Sequence, residues 1–207
     1  QLGIQATPTG PAIDRGTQTQ MPVTLVGSVL GASTAQQTRQ LQEQVVNGSR
    51  LHIPLLFAYD VLHGFRTVFP VPLAQASAWD PDLTQRTARA AAVEATASGV
   101  HWTFAPMVDV TRDPRWGRVV EGAGEDPFLG SALAAALVQG FQGAGAPDIS
   151  SMLATAKHFV AYGAAEGGRD YNVADLSERT LREVYLPPFQ AAVAAGIPMS
   201  VPAVTVN

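Results

Sequence analysis

The stretch from Thr103 to Gly130 combines residue types that bind hydroxyl-rich molecules. It begins with apolar residues and then becomes dense in charge, with Trp116 and several glycines between the charged side chains. The charged residues are Asp109, Arg112, Asp113, Arg115, Arg118, Glu121, Glu125 and Asp126. Guanidinium and carboxylate groups hydrogen-bond hydroxyls, and an aromatic ring offers an apolar face to a sugar. The pattern favours the mouth of a site for a polyhydroxylated ligand, with a salt-bridged structural loop as the alternative.

A second polar group follows the apolar run Ile53–Tyr59. Asp60 stands at the carboxyl end of that predicted strand, where a carboxylate can accept hydrogen bonds from two ligand hydroxyls or cap a loop. His63, before Gly64, is typical of a structural histidine. Arg66 is expected either to reach the same pocket or to pair with Asp60.

A third polar group lies where a buried strand meets its loop. Lys157 and His158 are adjacent, so their side chains are expected on opposite faces of the strand. Neither is expected to be buried without a partner, and we interpret both as ligand-binding residues. Arg169 and Asp170 follow two glycines and are interpreted as a local ion pair or part of a lid.

Several chemistries find no support in the sequence. The four histidines show no paired spacing such as H-x-x-x-H, nothing resembles a calcium loop, and we predict neither a metal nor a cofactor. The motif G-x-S-x-G and cysteine are both missing, so no serine or thiol nucleophile is evident. Gly122 and Gly124 follow a charged loop and do not open a helix cleanly, which disfavours a phosphate cradle.

Length, composition and net charge limit the kinds of protein that this chain can be. The chain has 207 residues, of which 46% are hydrophobic, and a net charge of −4. These values suit one domain with a substantial core, or most of a larger domain, and give no reason to expect a nucleic acid or membrane partner. No apolar run has the length of a transmembrane helix. The chain opens at Gln1 without a basic and apolar leader, which is compatible with removal of a signal peptide.

Hydrophobic patterning predicts alternating strands and helices. The predicted strands are Leu2–Ala6, Val23–Leu30, Ile53–Tyr59, Trp102–Val110, Leu153–Val160 and Met199–Val206. Capping boxes at Ser33–Gln36 and Asp175–Glu178 predict helices that run to Val46 and Gly196. Asp80 and Pro81 predict a helix to Gly99, and another is predicted over Leu129–Phe141.

This alternation predicts parallel β/α architecture. Polar and charged residues are frequent in the segments that follow strand ends, which are 60–66, 109–126 and 157–170. The segments that lead from helix to strand carry few such residues. That asymmetry suits a β/α barrel, in which sites lie at the carboxyl ends of the strands. A doubly wound open sheet also fits the alternation, although no strand is followed by G-x-G-x-x-G.

Three long segments resemble glycoside hydrolase family 3. They read FAYDVLHGFRTVFPVPLAQASAWD, FAPMVDVTRDPRWGRVVEGAGEDPFLG and TAKHFVAYGAAEGGRDYN, in the family's order and spacing. The likeness extends over nearly the whole chain and is strongest to bacterial β-glucosidases of the periplasmic type. It implies a (β/α)8 TIM-barrel-like domain over 1–207, incomplete at both ends, with the closing strands and a second α/β sandwich domain absent from this sequence.

The resemblance also implies roles for single residues. It assigns sugar-binding positions in the −1 subsite to Asp60, Arg66, Arg118, Lys157, His158 and Arg169, the last as the weakest match. The aspartate nucleophile and the acid/base glutamate of these retaining enzymes are expected beyond Asn207, so no catalytic residue is assigned here. Ala203 stands where many members carry a pocket tyrosine. The P-G-H-G and Asp-x-His elements of the N-acetylglucosaminidase branch are missing.

Three functions remain open at this stage. The first is a retaining exo-β-glycosidase acting on terminal non-reducing β-D-glucosyl residues of gluco-oligosaccharides or aryl glucosides, with the remainder of the enzyme supplied elsewhere; β-xylosidase activity is its close variant. The second is a catalytically inactive sugar-binding fragment. The third is an unrelated β/α-barrel enzyme. The resemblance implies a periplasmic or extracellular location.

Overall fold

Six parallel strands alternate with helices in the computed structural model, which describes residues 2–3, 22–143, 148–197 and 199–202. The strands are β1 Leu2–Gly3, β2 Ser28–Leu30, β3 Leu56–Tyr59, β4 Trp102–Thr103, β5 Thr155–Phe159 and β6 Met199–Pro202. The helices are α1 Ala35–Gly48, α2 Pro72–Ala76, α3 Pro81–Ala97, α4 Pro127–Gln142, α5 Glu178–Thr180 and α6 Pro187–Ala194, with a π-helical turn at Leu181–Tyr185 before α6.

The strands follow one another in chain order. Strands β1 to β4 form one sheet in the order β1-β2-β3-β4, and β5 pairs with β6, all in parallel. Isolated parallel bridges join Trp102 to Leu153 and Met107 to Lys157, so β5 continues the order after β4. Sequential parallel pairing of this kind places every strand's carboxyl end at the same edge, and the loops that leave this edge carry the polar groups.

Helices cover the outer face of the strands. Helix α3 packs on α4, and α4 packs on α6. The main core lies between these helices and the strands and includes Val100, Val138, Phe141 and Phe189. A second core, which includes Val29, Val45 and Phe57, lies between α1 and strands β2 and β3. The alternating β/α architecture predicted from the sequence is confirmed.

Two predicted helix starts were wrong. The N-cap of α1 is Thr34, whose hydroxyl accepts from the Gln37 N–H at 3.2 Å, and not Ser33. The N-cap of α5 is Ser177, which accepts from the Thr180 N–H at 3.1 Å, so Asp175 lies outside the helix. In both places a hydroxyl residue that stands closer to the first turn than the predicted cap makes the hydrogen bond that defines a cap.

The predicted strand Trp102–Val110 was too long. Regular pairing ends at Thr103, and the chain then runs as an irregular buried segment through Ala105–Pro106, whose peptide bond is cis. Pro106 has no N–H to donate to a ladder. The predicted strand Val23–Leu30 is a 3₁₀ turn, Val23–Leu25, followed by β2. The remainder of the predicted run Met199–Val206 beyond Pro202, including Ala203, lies outside the described residues, as does Leu2–Ala6 beyond Gly3.

Candidate functional site

An ion pair joins the carboxyl ends of β3 and β5. The Lys157 ammonium donates to both carboxylate oxygens of Asp60, at 2.9 and 3.0 Å, across 97 residues of sequence. Lys157 is 4% exposed, whereas about a third of the Asp60 side chain, 34%, is accessible. The carboxylate is therefore the member of the pair that faces solvent at the strand ends.

The next residue in β5 makes a second pairing with a carboxylate. Asp109 Oδ2 accepts from both the backbone N–H and the Nδ1 of His158, each at 2.9 Å. Asp109 is buried in the irregular segment that follows β4. Adjacent residues of β5 thus contact two carboxylates from elsewhere in the chain: Asp60, which follows β3, and Asp109, in the segment after β4.

Arg118 lies on the far side of the histidine ring. Its Nη1 is 3.4 Å from His158 Nε2, and its Nε and Nη2 donate to the two oxygens of Glu121, both at 2.7 Å. Burial alone would lower the pKa of the guanidinium, but the hydrogen bonds and the charge of Glu121 outweigh burial and raise the pKa above its usual value. Arg118 is a fixed cation at this edge.

An aromatic wall closes the same side of the cluster. The Tyr162 ring lies nearly perpendicular to the rings of both His158 and Trp116, with centroid separations of 4.9 Å in each pair. Arg118 lies 5.5 Å from the same ring centroid. Asp170 Oδ1 accepts from the Trp116 indole at 2.9 Å and from the Tyr162 hydroxyl. Burial, with the bond to Asp170, raises the pKa of the Tyr162 hydroxyl.

Four of the six residues proposed from the sequence meet at this edge: Asp60, Arg118, Lys157 and His158. Arg66 does not join them and does not pair with Asp60. Its side chain is exposed, donates to the Ser33 carbonyl at 3.0 Å and lies over the Phe65 ring. The Ser33 carbonyl, after β2, and the Phe65 ring hold the guanidinium outside the cluster.

Arg169 is exposed, and its side chain is not hydrogen-bonded to the cluster described above. Within the part of the chain that the structure describes, its side chain makes no ion pair with Asp170, because that carboxylate binds Trp116 and Tyr162. The predicted local ion pair was therefore wrong. The loop is fixed through Asp170.

Sequence reasoning gave Asp109 and Tyr162 no individual role in the site. A signal for Asp109 was available, because a single aspartate between Val108 and Val110 places a charge in an apolar run, and a buried charge requires a partner. Tyr162 carried no such signal. Glu121, one of the charged residues of the 103–130 stretch, pairs with Arg118. Among the described residues, no three potential ligands cluster as they would around a metal ion.

The fold and the polar edge define a β/α-barrel protein with a cluster of charged and aromatic side chains at the carboxyl ends of its strands. The chain belongs to glycosyl hydrolase family 3: residues 11–207 match that family's N-terminal domain. The resemblance drawn from the three sequence segments, and the TIM-barrel-like fold that it implied, are confirmed.

Similar proteins include a β-glucosidase and a β-xylosidase. The periplasmic β-glucosidase of Salmonella typhimurium is 48% identical over 171 residues, covering 83% of this chain and 22% of that protein. A β-xylosidase of Formosa agariphila is 42% identical over 166 residues, covering 74% of this chain and 23% of that protein. The crystal structure of a Listeria innocua β-glucosidase with isofagomine superposes with a TM-score of 0.88 and 44% identity, covering 95% of this chain and 28% of that one.

The chain therefore spans about a quarter of the length of the relatives that it matches. No helix in the described part of the chain combines the length and apolar character needed to cross a membrane.

Proposed function

We propose that this chain supplies the sugar-binding pocket of a longer retaining exo-β-glycosidase, which hydrolyses terminal non-reducing β-D-glucosyl residues. The observation that carries the proposal is the cluster at the strand ends, in which Lys157 holds the Asp60 carboxylate and the next residue, His158, lies 3.4 Å from Arg118. A carboxylate that accepts and cations that donate are the groups that hydrogen-bond adjacent hydroxyls of a sugar ring. We call the longer polypeptide the complete enzyme.

The charged groups described here support a binding role. Retaining hydrolysis needs a carboxylate free to attack the anomeric carbon and a second carboxyl group that transfers a proton. Asp60 is paired with Lys157, Glu121 is paired with Arg118, and Asp109 is buried against His158. Each of these carboxylates has a partner, which supports the expectation, implied by the resemblance to family 3, that the nucleophile and the acid/base lie outside this chain.

The same groups can aid the reaction by holding the ring. Asp60 accepts from sugar hydroxyls, and Arg118 donates to them. Contacts of this kind accelerate hydrolysis only to the extent that they tighten as the ring flattens toward the oxocarbenium-like transition state. The aromatic wall behind His158 and Arg118 holds both side chains in place before the sugar arrives, which lowers the cost of that tightening.

The sugar is proposed as glucose, with xylose as the second candidate. The 48% identity to a periplasmic β-glucosidase supports glucose, and the 42% identity to a β-xylosidase supports xylose. The two sugars differ by one hydroxymethyl group, whose contacts are not assigned in this chain. The Salmonella relative's name also supports a periplasmic or secreted location.

Hydrolysis of 4-nitrophenyl glycosides tests the proposal. We expect the complete enzyme to cleave the β-glucoside with a higher kcat/KM than the β-xyloside, and this chain alone to cleave neither. A higher value for the xyloside would favour the second sugar. A complete enzyme that binds gluconolactone but cleaves no glycoside would support an inactive sugar-binding protein. If Asp60→Ala in the complete enzyme bound gluconolactone as tightly as the wild type, the pocket assignment would be wrong.

A further inference from the structure

Asp109 is a buried carboxylate whose hydrogen bonds converge on one residue. Its side chain is fully inaccessible to solvent and lies between the buried residues Val108 and Val110. Oδ2 accepts from the His158 backbone N–H and from His158 Nδ1, each at 2.9 Å. Oδ1 has no hydrogen-bond partner among the described residues. A charge is rarely buried unless its partners require it, and both partners found here belong to His158.

This contact decides which imidazole nitrogen carries a proton. An ionised carboxylate can only accept hydrogen bonds, so Nδ1 must carry the hydrogen that lies between it and Asp109. In the neutral ring, Nε2 is then the acceptor. Nε2 faces Arg118 Nη1 at 3.4 Å, which is long for a hydrogen bond and leaves the nitrogen available to a stronger donor.

The orientation of the ring is fixed as well. Asp109 holds the Nδ1 edge and the backbone N–H of the same residue, while Tyr162 packs against the imidazole with an interplanar angle of 81°. With the Nδ1 edge held and Tyr162 packed against the ring, Nε2 points toward the Arg118 side of the cluster. Asp109 itself is too deeply buried to touch a ligand there.

We propose that Asp109 is a positioning residue of the sugar pocket: it holds His158 as the Nδ1–H tautomer and so presents Nε2 as an acceptor to a sugar hydroxyl. The inference rests on the proposed function, because it deepens the assignment of the same pocket. Asp109 acts through His158 alone. Substituting Asp109 when His158 is already missing should therefore add no further loss of sugar binding.

The first test needs no variant. Long-range ¹⁵N–¹H correlation spectra of the histidine-labelled complete enzyme report which ring nitrogen is protonated, and the His158→Gln variant assigns the His158 signals. We expect the proton on Nδ1 when the ring is neutral. A neutral ring with its proton on Nε2 would overturn the proposal, whatever the enzyme hydrolyses. If the wild type shows Nδ1–H but does not bind gluconolactone, the proposed function fails while the tautomer assignment stands.

The second test measures inhibition by gluconolactone in matched variants of the complete enzyme. Asp109→Asn keeps an acceptor oxygen in place, and we expect the inhibition constant to stay within about threefold. Asp109→Ala removes that acceptor, and we expect an increase of about tenfold or more with a shift of the tautomer toward Nε2–H. Thr111→Val is the control, because Thr111 is also buried, with a hydroxyl that has no hydrogen-bond partner among the described residues; we expect no change.

A double variant separates positioning from general damage. We expect Asp109→Ala with His158→Ala to bind gluconolactone as weakly as His158→Ala alone, because a residue that acts through another is not additive with it. Full additivity would overturn the proposal. If Asp109→Ala does not fold, the proposal is tested by the tautomer of His158 in the wild type and by the inhibition constant of Asp109→Asn.

Discussion

Lys157 and Asp60 form an unequal pair, in which the ammonium is 4% exposed and the carboxylate side chain is 34% exposed. The cation lies behind the anion and donates to both of its oxygens, at 2.9 and 3.0 Å. A carboxylate held in this way keeps lone pairs directed outward, since each oxygen can accept more than one hydrogen bond. The two residues therefore have different roles: Lys157 fixes the position of the carboxylate, and Asp60 presents hydrogen-bond acceptors at the edge of the strands.

Replacing Asp60 should therefore remove binding of the transition state. We expect Asp60→Ala in the complete enzyme to cost about 3 kcal/mol, a fall in kcat/KM for an aryl β-glucoside of roughly a hundredfold or more. The variant also leaves Lys157 buried without its partner, so Asp60→Ala with Lys157→Met should recover thermal stability without recovering activity. Asp82→Ala, an exposed carboxylate in the first turn of α3, is the control. Near-normal turnover in Asp60→Ala would contradict the pocket assignment.

Arg118 should not tolerate lysine. Its guanidinium makes two hydrogen bonds to Glu121 and lies over the Tyr162 ring, and an ammonium cannot reproduce this planar fork. We expect Arg118→Lys to reduce kcat/KM by about tenfold or more. Arg179→Lys changes an exposed Arg–Glu pair on a helix and should leave kcat/KM unchanged. Equal effects of the two substitutions would show that the fork of Arg118 has no special role.

Two glycines of α4 should respond oppositely to alanine. A Cβ at Gly140 would lie 2.5 Å from the Gln85 carbonyl oxygen and 2.6 Å from Ala88 Cβ, because α3 and α4 pack closely there. We expect Gly140→Ala to destabilise the fold by about 1–3 kcal/mol. A Cβ at Gly130 meets nothing closer than 3.6 Å, so Gly130→Ala should stabilise by up to about 1 kcal/mol. Thermal unfolding of the matched pair checks both signs.

His101 should make stability fall as the pH is lowered. Burial lowers the pKa of its imidazole, and Nδ1 accepts from the Phe57 N–H at 3.2 Å, which requires that nitrogen to be unprotonated. The unfolded chain binds the proton more readily below about pH 6.5. The contribution of His101 is therefore fully present above that pH and falls as the pH drops toward the folded-state pKa.

The test compares the wild type with His101→Asn, whose side-chain oxygen retains an acceptor for Phe57. We expect the difference in unfolding free energy between the two proteins to be constant above about pH 7.5 and to change in favour of the variant below about pH 6.5. A difference that does not vary between pH 5 and 8 would show that burial of His101 is not coupled to proton binding.

Local sequence patterns predicted the presence of helices and strands better than the residues at which they begin and end. Apolar runs located β3 and β5, and Asp80 with Pro81 located the start of α3. The N-caps of α1 and α5 were wrong because neighbouring hydroxyl residues compete for the first-turn N–H groups, and only the fold decides which one reaches them. At α1 the carbonyl of Ser33 instead accepts from Arg66, 33 residues away.

The candidate site was predicted as a set of residues and less well as a set of contacts. Strand-end positions favoured Asp60, Lys157 and His158, but their partners lie far apart in sequence: 97 residues for Lys157 and 49 for His158. Periodicity carries no information about such pairings. Arg66 is an example of this limit. Its closeness to Asp60 in sequence suggested an ion pair, but the two side chains do not pair across the turn through His63 and Gly64.

The consecutive pairings of Lys157 and His158 have a consequence for altering this protein. Lys157 is hydrogen-bonded to Asp60, and His158 is hydrogen-bonded to Asp109. A shift of β5 by a single position would therefore break both sets of hydrogen bonds together. Efforts to broaden sugar preference should therefore leave this dipeptide untouched and vary residues on the surrounding loops, where a change in one wall does not disturb the opposite wall.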